Sequence, residues 1–248
     1  MMQRFCNSPE VRRCPLSSAG GRPCSGCNRS CPASKAGAAG CKKAALAPSP
    51  ASKPLPRQQL APPPEALGIY YSTATGKTEE VANIIKEVLG NAAAEPQDIG
   101  DVPDLAAALT DPSLDGLLVG APTWNTGADE GRSGTAWDDV LAQVKGLSLQ
   151  GRKVAVFGCG DQHGYGDYFC DAMEELHSSF AAAGADMVGA WPTEGYEHSE
   201  SKAETKPGFF CGLALDEDSQ GELTEGRIRQ WTAQVLQEMG VKAPTAAA

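Results

Sequence analysis

From residue 67 onward the chain alternates short apolar runs with longer amphipathic ones, and that alternation allows few folds. Leu67–Tyr71, Leu117–Ala121, Lys153–Gly158 and Met187–Trp191 read as strands. Leu117–Ala121 is apolar throughout, as a strand buried on both faces must be. Between these runs, Thr78–Leu89 places Val81, Ile84, Ile85, Val88 and Leu89 at helical spacing. Trp137–Val144 and Phe169–Ala183 are also helical, the latter with Met173, Leu176 and Phe180 on one face and Cys170 on its apolar side. A weak strand is expected at Glu95–Ile99, a short helix at Asp104–Leu109 and a strand-like run at Phe209–Leu215. Thr224 is a plausible N-cap for a last helix striped by Ile228, Trp231, Val235, Leu236 and Met239. The order predicts an α/β, doubly wound parallel sheet. Ligands of such sheets sit beyond the carboxyl ends of the strands, where the strand order reverses.

The unusual loops of the sequence fall at those ends. The first, Ser72-Thr73-Ala74-Thr75-Gly76-Lys77-Thr78, joins the first strand to the first helix. Its small and hydroxylated residues leave backbone N–H groups free beside a helix N-terminus, which makes a phosphate nest. Gly76-Lys77-Thr78 also ends like a Walker A loop, but that motif needs Gly where Tyr71 stands. The bland alternative is an ordinary βα turn. The second loop, Ala121-Pro122-Thr123-Trp124-Asn125-Thr126-Gly127, puts a Trp just past a buried strand, where it wants a flat partner or a helix to fold onto. The third runs Gly158-Cys159-Gly160-Asp161-Gln162-His163-Gly164-Tyr165-Gly166-Asp167. Its glycines allow close backbone approach, and Tyr165 supplies a second aromatic plate. A phosphate nest, two plates and a rim of amides describe a mononucleotide with a large flat ring, FMN. NAD fits less well, because the dinucleotide fingerprint is absent after the first strand.

Charge divides the chain in two. Residues 1–64 hold ten Lys/Arg and one acid, Glu10, whereas 65–248 hold eleven Lys/Arg and thirty Asp/Glu. An acidic body argues against nucleic acid as partner and for basic protein surfaces. The Arg-, Ser-, Ala- and Pro-rich leader has no apolar core of the secretory kind and reads as an organelle transit peptide and linker, disordered on its own. Six of the nine cysteines lie there. Cys24, Cys27, Cys31 and Cys41 invite a zinc reading, but nothing nearby is patterned as a zinc knuckle. Cys159, Cys170 and Cys211 are too scattered for a disulfide framework. No apolar run is long enough to span a bilayer, so membrane insertion is not expected. The domains expected are therefore the leader 1–64, a compact unit 65–243 and a disordered tail 244–248.

Tyr71–Thr78, Pro122–Asn125, Gly158–Tyr165 and Gly212–Asp218 together resemble the signature segments of long-chain flavodoxins, over about Leu67 to Val241. The resemblance implies a five-stranded flavodoxin-like sheet and one non-covalent FMN. It also implies a long-chain insertion in the last strand, which Thr193–Gly208 fits. By that resemblance Thr73, Thr75, Gly76, Lys77, Thr78 and the Ala74 backbone would hold the phosphate. Trp124 and Tyr165 would sandwich the ring, and the backbones of Asn125, Cys159, Gly160, Asp161 and Gln162 would line its edge. Ser72, Pro122, Thr123, Thr126, Gly127 and Asp167 complete the expected site. Ala74 stands where the family often has Gln, and Cys159 where Thr is common, which puts there a thiol that could react with oxidants. The loop Gly127–Trp137 is longer than in bacterial members and resembles the form in eukaryotic algae.

The family implies a low-potential one-electron carrier, with photosystem I and ferredoxin–NADP reductase as partners and the chloroplast stroma as compartment. It would stand in for ferredoxin when iron is scarce, as a monomer. Ring stacking and the acids Asp129, Glu130, Asp161, Asp167 and Asp171 would disfavour an anionic hydroquinone. The Asn125–Thr126 peptide would turn its carbonyl to the flavin N5 and stabilise the semiquinone, which Thr126→Pro should abolish. No catalytic residue is expected, because the chemistry is the flavin's. His163 reads as a solvated loop residue, and His177 and His198 as surface residues. The alternatives are an NAD(P)H-dependent quinone reductase on the same fold, a P-loop hydrolase and an apo interaction module. Tyr165 would cover the ring face that the reductase needs, Tyr71 counts against the hydrolase, and the apo module would leave Trp124 and Tyr165 without a ring.

Overall fold

The structure, a computed structural model, describes residues 67–242. The expected leader and linker, the leader cysteines and the tail lie outside the described residues. The strands are β1 (Leu67–Tyr71), β2 (Gln97–Asp98), β3 (Gly116–Pro122), β4 (Lys153–Cys159), β5 (Asp186–Val188), β6 (Trp191–Pro192), β7 (Phe209–Phe210) and β8 (Leu213–Leu215). The helices are α1 (Lys77–Leu89), α2 (Leu105–Leu109), α3 (Ala136–Lys145), α4 (Ala172–Ala182) and α5 (Gly221–Met239). No described helix is long and apolar enough to cross a membrane.

The main sheet runs β2-β1-β3-β4-β5 and is parallel throughout. Residues of its strands alternate between two cores, as a period of two requires. Ile69, Leu118, Ala155 and Phe157 pack with Val81, Ile85, Ile228, Trp231 and Val235 of α1 and α5. Leu117, Val119, Val154 and Val156 pack with Trp137, Leu141, Met173, Leu176 and Phe180 of α3 and α4. Each large core side chain is worth about 1.5–3 kcal/mol on burial. The indole of Trp137 also meets its polar obligation by donating from Nε1 to the Gly120 carbonyl at 2.8 Å.

The fifth lane of the sheet is made of two pieces. Asp186–Val188 pairs with Lys153–Ala155, and Leu213–Leu215 pairs with Phe157–Cys159 further along the same edge. The stretch between them makes the antiparallel pair β6–β7. The strand expected at Met187–Trp191 therefore ends at Val188. Gly189 takes φ +83°, a conformation that favours glycine, and α5 captures it. Its N–H donates to Glu238 Oε2 at 2.7 Å and its carbonyl accepts from Trp231 Nε1 at 2.8 Å. The run expected at Phe209–Leu215 divides into β7 and β8.

Two helix starts also differ from expectation. α4 begins at Ala172, because Gly166–Tyr168 forms a 3-10 turn and Cys170 sits at φ +55°. Cys170 is buried as expected, but ahead of the helix. α5 begins a turn before Thr224, whose hydroxyl bonds the Glu217 carboxylate instead of capping. Asp104 does cap α2, accepting from Ala107 N–H at 3.0 Å.

In this strand order the chain leaves β1 toward β2 on one side and returns through β3 on the other. That reversal places the loops after β1, β3 and β4 side by side at the carboxyl edge. It is a ligand position for which this strand order is itself a standard case.

Candidate functional site

A cleft opens at that edge, lined by Thr75, Lys77 and Thr78 at one end and by Thr123, Trp124, Thr126 and Tyr165 at the other, with Pro122, Cys159, Gly160, Asp161, Glu217 and Asp218 between. The nest end is built by the β1–α1 junction. Gly76 precedes α1 at φ 90° with no side-chain cap. Its own N–H is satisfied by Thr73 Oγ1 at 2.8 Å, and the first bond of the helix runs from Glu80 N–H to the Gly76 carbonyl at 2.9 Å. The N–H groups of the first turn are left facing the cleft end with the positive end of the helix dipole. Thr78 is fully buried, and its hydroxyl, although near enough to the Cys159 thiol to temper the rise of that thiol's pKa, meets no partner in hydrogen-bond geometry among the described residues. A buried orphan of this kind is costly unless something satisfies it. Lys77 pairs with Glu80 at 3.2 Å. The hydrogen bond and charge of Glu80 raise the ammonium's pKa, with a smaller contribution from Glu217 and Asp218.

At the other end, Trp124 is 51 % and Tyr165 57 % exposed, although both line the cleft. Side chains of this size left so open carry a desolvation opportunity that a flat apolar ligand would take. Trp124 follows β3, and its N–H and that of Asn125 donate to the Arg132 carbonyl at 3.2 and 3.1 Å. The Asn125 carbonyl accepts from Ala128 N–H at 3.2 Å, closing the turn through Thr126 and Gly127. Tyr165 is held by its N–H to the Asp161 carbonyl at 3.0 Å. Asp161 Oδ1 in turn accepts from the N–H of His163 and Gly164 at 3.0 and 2.7 Å.

The remaining expected residues stand behind these walls. Ser72 is buried and bonds Thr135 through the two hydroxyls. Thr73, Ala74 and Gly76 shape the nest from outside its lining. Asn125 turns its amide to the Gly131 carbonyl at 2.7 Å. Gly127 lies over the ring of Tyr168. Gln162 is buried, with its side chain spent on Ser219 and Glu197 N–H, while its N–H donates to Asp216 at 3.1 Å. Asp167 faces a separate groove with His163 and Tyr168. His163 is exposed, as expected.

Three readings change. Cys159 lines the cleft but is 7 % exposed, and burial pushes its thiol up to about 12. It is therefore a poor nucleophile at neutral pH, and reaction with oxidants is disfavoured. The His198 side chain is 8 % exposed, not on the surface. It packs at a tilt against Phe169 and Phe210, with ring centroids 5.6 and 5.0 Å away. His177 is half-buried, and desolvation lowers its pKa. Glu217 and Asp218, in the segment Gly212–Asp218, line the cleft without having been assigned to it; their position directly after the last parallel strand was the available signal. Glu175 was also missed. It lies on α4, where nothing in the sequence marks it off from neighbouring surface acids.

A family profile described as Flavodoxin matches residues 69–231. The flavodoxin of Picosynechococcus sp. is 41% identical over 179 residues, covering 71% of this chain and 98% of its own length. That of Klebsiella pneumoniae is 39% identical over 175 residues, covering 70% and 94%. Among solved structures, Fusobacterium nucleatum flavodoxin bound to flavin mononucleotide aligns with a TM-score of 0.61 at 27% identity, over 70% of this chain and 98% of that one.

Proposed function

Because the chain belongs to the flavodoxin family, we propose that it is a one-electron carrier that holds FMN non-covalently in the cleft at the carboxyl edge. The observation that carries this is the pairing of two half-exposed aromatic rings with an uncapped helix end and a buried, unpartnered Thr78 hydroxyl across one cleft. The rings suit a flavin and the helix end suits its phosphate. When bound, the flavin supplies two successive one-electron couples.

The chain's own residues then do three things. Thr75, Thr78 and the first-turn N–H groups of α1 bind the phosphate without a large cluster of cations, Lys77 being the one base in the cleft lining. Trp124 and Tyr165 orient the ring and exclude water from its faces. Asp161, Glu217 and Asp218 set a negative field along the cleft. That field opposes added negative charge and lowers the potential of the second couple. No side chain is asked to move a proton to or from a substrate.

We assign the chain to the long-chain class, supported by the interruption of the fifth lane between Val188 and Leu213, and to the algal form, supported by the longer loop after Gly127. We further propose that it works in the plastid stroma as a monomer. It would take electrons from photosystem I and pass them to ferredoxin–NADP reductase in place of ferredoxin when iron is scarce. The acid-poor, Arg- and Ser-rich leader and the acidic body support this reading.

The test is to purify the full chain, add FMN, and titrate with dithionite under argon while recording visible spectra. Two separate one-electron steps, the second at lower potential, are expected. Uptake of both electrons together from NADPH alone would move the chain to the reductase class. Failure to take up FMN would overturn the cofactor assignment.

A further inference from the structure

The loop from Ala128 to Thr135 never enters the cleft, yet the cleft's aromatic wall hangs on it. The Arg132 carbonyl accepts both the Trp124 and the Asn125 N–H. Arg132 itself is gripped from α4. Glu175 is 8 % exposed, and its two carboxylate oxygens accept from Gly131 N–H at 2.8 Å and Arg132 N–H at 2.9 Å. The Arg132 guanidinium closes the same grip. It donates to Glu174 Oε2 at 2.6 Å and to the Asp171, Ala128 and Asp129 carbonyls at 2.9–3.3 Å.

The inner end of the loop is fastened separately. Asp138 accepts from the N–H groups of Ser133 and Gly134 at 3.2 and 2.8 Å and from the Ser133 hydroxyl at 2.6 Å. The Ser133, Thr135 and Ser72 hydroxyls continue in a chain toward the nest. Between the two fastenings Gly134 sits at φ +65°, where a Cβ would come within 2.8 Å of Trp124 Cβ. The loop is thus pressed against the back of the ring plate and cannot shift without moving it.

We propose that Glu175 is a positioning residue for the cleft, acting through the Arg132 backbone to fix Trp124 and the Asn125 peptide, so that α4 governs how tightly the flavin is held and at what potential it works. Glu175 is not in the cleft lining, so its influence runs through geometry. Charge-assisted bonds from two adjacent N–H groups to one desolvated carboxylate are the strong kind. The proposal rests on the carrier reading given above for its redox consequence, but not for the clamp itself.

The test uses the full chain, first without FMN. In the wild type, the Gly131, Arg132, Trp124 and Asn125 amides should be protected together from hydrogen exchange. Glu175→Gln keeps one acceptor and presents an NH₂ to the other donor. It should speed exchange at Trp124 and Asn125 by on the order of tenfold or more. With FMN added, it should raise the dissociation constant by about tenfold and shift the potential of the second couple. Glu130→Gln removes the same charge from the loop itself, at an exposed side chain that makes no hydrogen bond among the described residues, and leaves the Glu175 and Glu174 bonds to the loop in place. It should leave exchange at Trp124 and Asn125 unchanged and shift the potential less. Equal shifts from both variants, or unchanged exchange in Glu175→Gln, would overturn the proposal. If Glu175→Gln does not fold by far-UV circular dichroism, the wild type decides, because open-loop exchange at Gly131 and Arg132 refutes the clamp. A wild type that binds no FMN would sink the carrier reading, while the exchange data would still judge the clamp.

Discussion

Thr78 shows how a single atom can speak for a ligand. Its hydroxyl is wholly buried and unpartnered among the described residues, beside a helix N-terminus that lacks a cap. Thr78→Val keeps the shape and removes the orphan. We expect the FMN-free chain to be at least as stable as the parent, because a desolvated, unpaired group has been lost. We expect FMN affinity to fall by roughly tenfold or more, the worth of a hydrogen bond to a charged group, while riboflavin, which has no phosphate, binds both chains alike. Fluorescence titration with the two flavins checks this, and an equal loss for both would place the hydroxyl elsewhere. Residues whose place follows from type and position were legible in the sequence. Trp124 and Tyr165, large aromatics at strand ends, line the cleft, as do Thr75, Lys77 and Thr78 of the run that opens α1. Glu175 was not legible, because its role depends on Gly131 and Arg132, separated from it by 44 and 43 residues. Nor was His198, an imidazole that reads as surface until a cage of aromatic rings closes on it.

Among elements, the long parallel strands were read correctly because burial on both faces leaves them almost no polar positions. The ends were read less well, because tertiary partners set them. Val188 ends a strand since α5 takes both polar groups of Gly189, and α4 starts late since Cys170 turns the chain. The junction between β8 and α5 makes a further point. Asp216 is fully buried and accepts from Gln162, Asp218 and Ser219 N–H and from the Ser219 hydroxyl. Burial pushes its carboxyl up, but the Ser219 and Gln162 bonds together outweigh it and leave it below the ordinary value. Such a group stabilises the fold in full above its unfolded pKa of about 3.9 and loses that contribution as pH falls through the lower, folded value. Asp216→Asn should therefore cost about 1.5–3 kcal/mol at neutral pH, measured by denaturant unfolding. The deficit should shrink below roughly pH 4 as the parent carboxylate takes up a proton. A deficit that stays constant down to acid would mean that Asn loses shape, not charge.

For the whole molecule, charge is the governing quantity. Residues 65–248 carry thirty acids against eleven bases. Encounter with a basic redox partner should be fast at low ionic strength and slow steeply as salt screens the field. With ferredoxin–NADP reductase as probe, stopped-flow rates should fall by on the order of tenfold between ~10 mM and ~0.5 M salt. A flat profile would argue against an electrostatically guided carrier. The fold also has poles. β1 begins at Leu67, which pairs with Gly116, the first residue of β3. At the far end of the described chain, Lys153 Nζ, on the first residue of β4, donates to the Glu238 carbonyl, and the Met239 side chain lies over Gly116. Both described termini therefore sit at the amino edge of the sheet, and the cleft sits at the carboxyl edge. A tether placed just beyond Lys242 would leave the cleft facing away from its support, so that a layer of chains fixed to an electrode by that end would present their redox poles outward, in one common orientation, to whatever flows past.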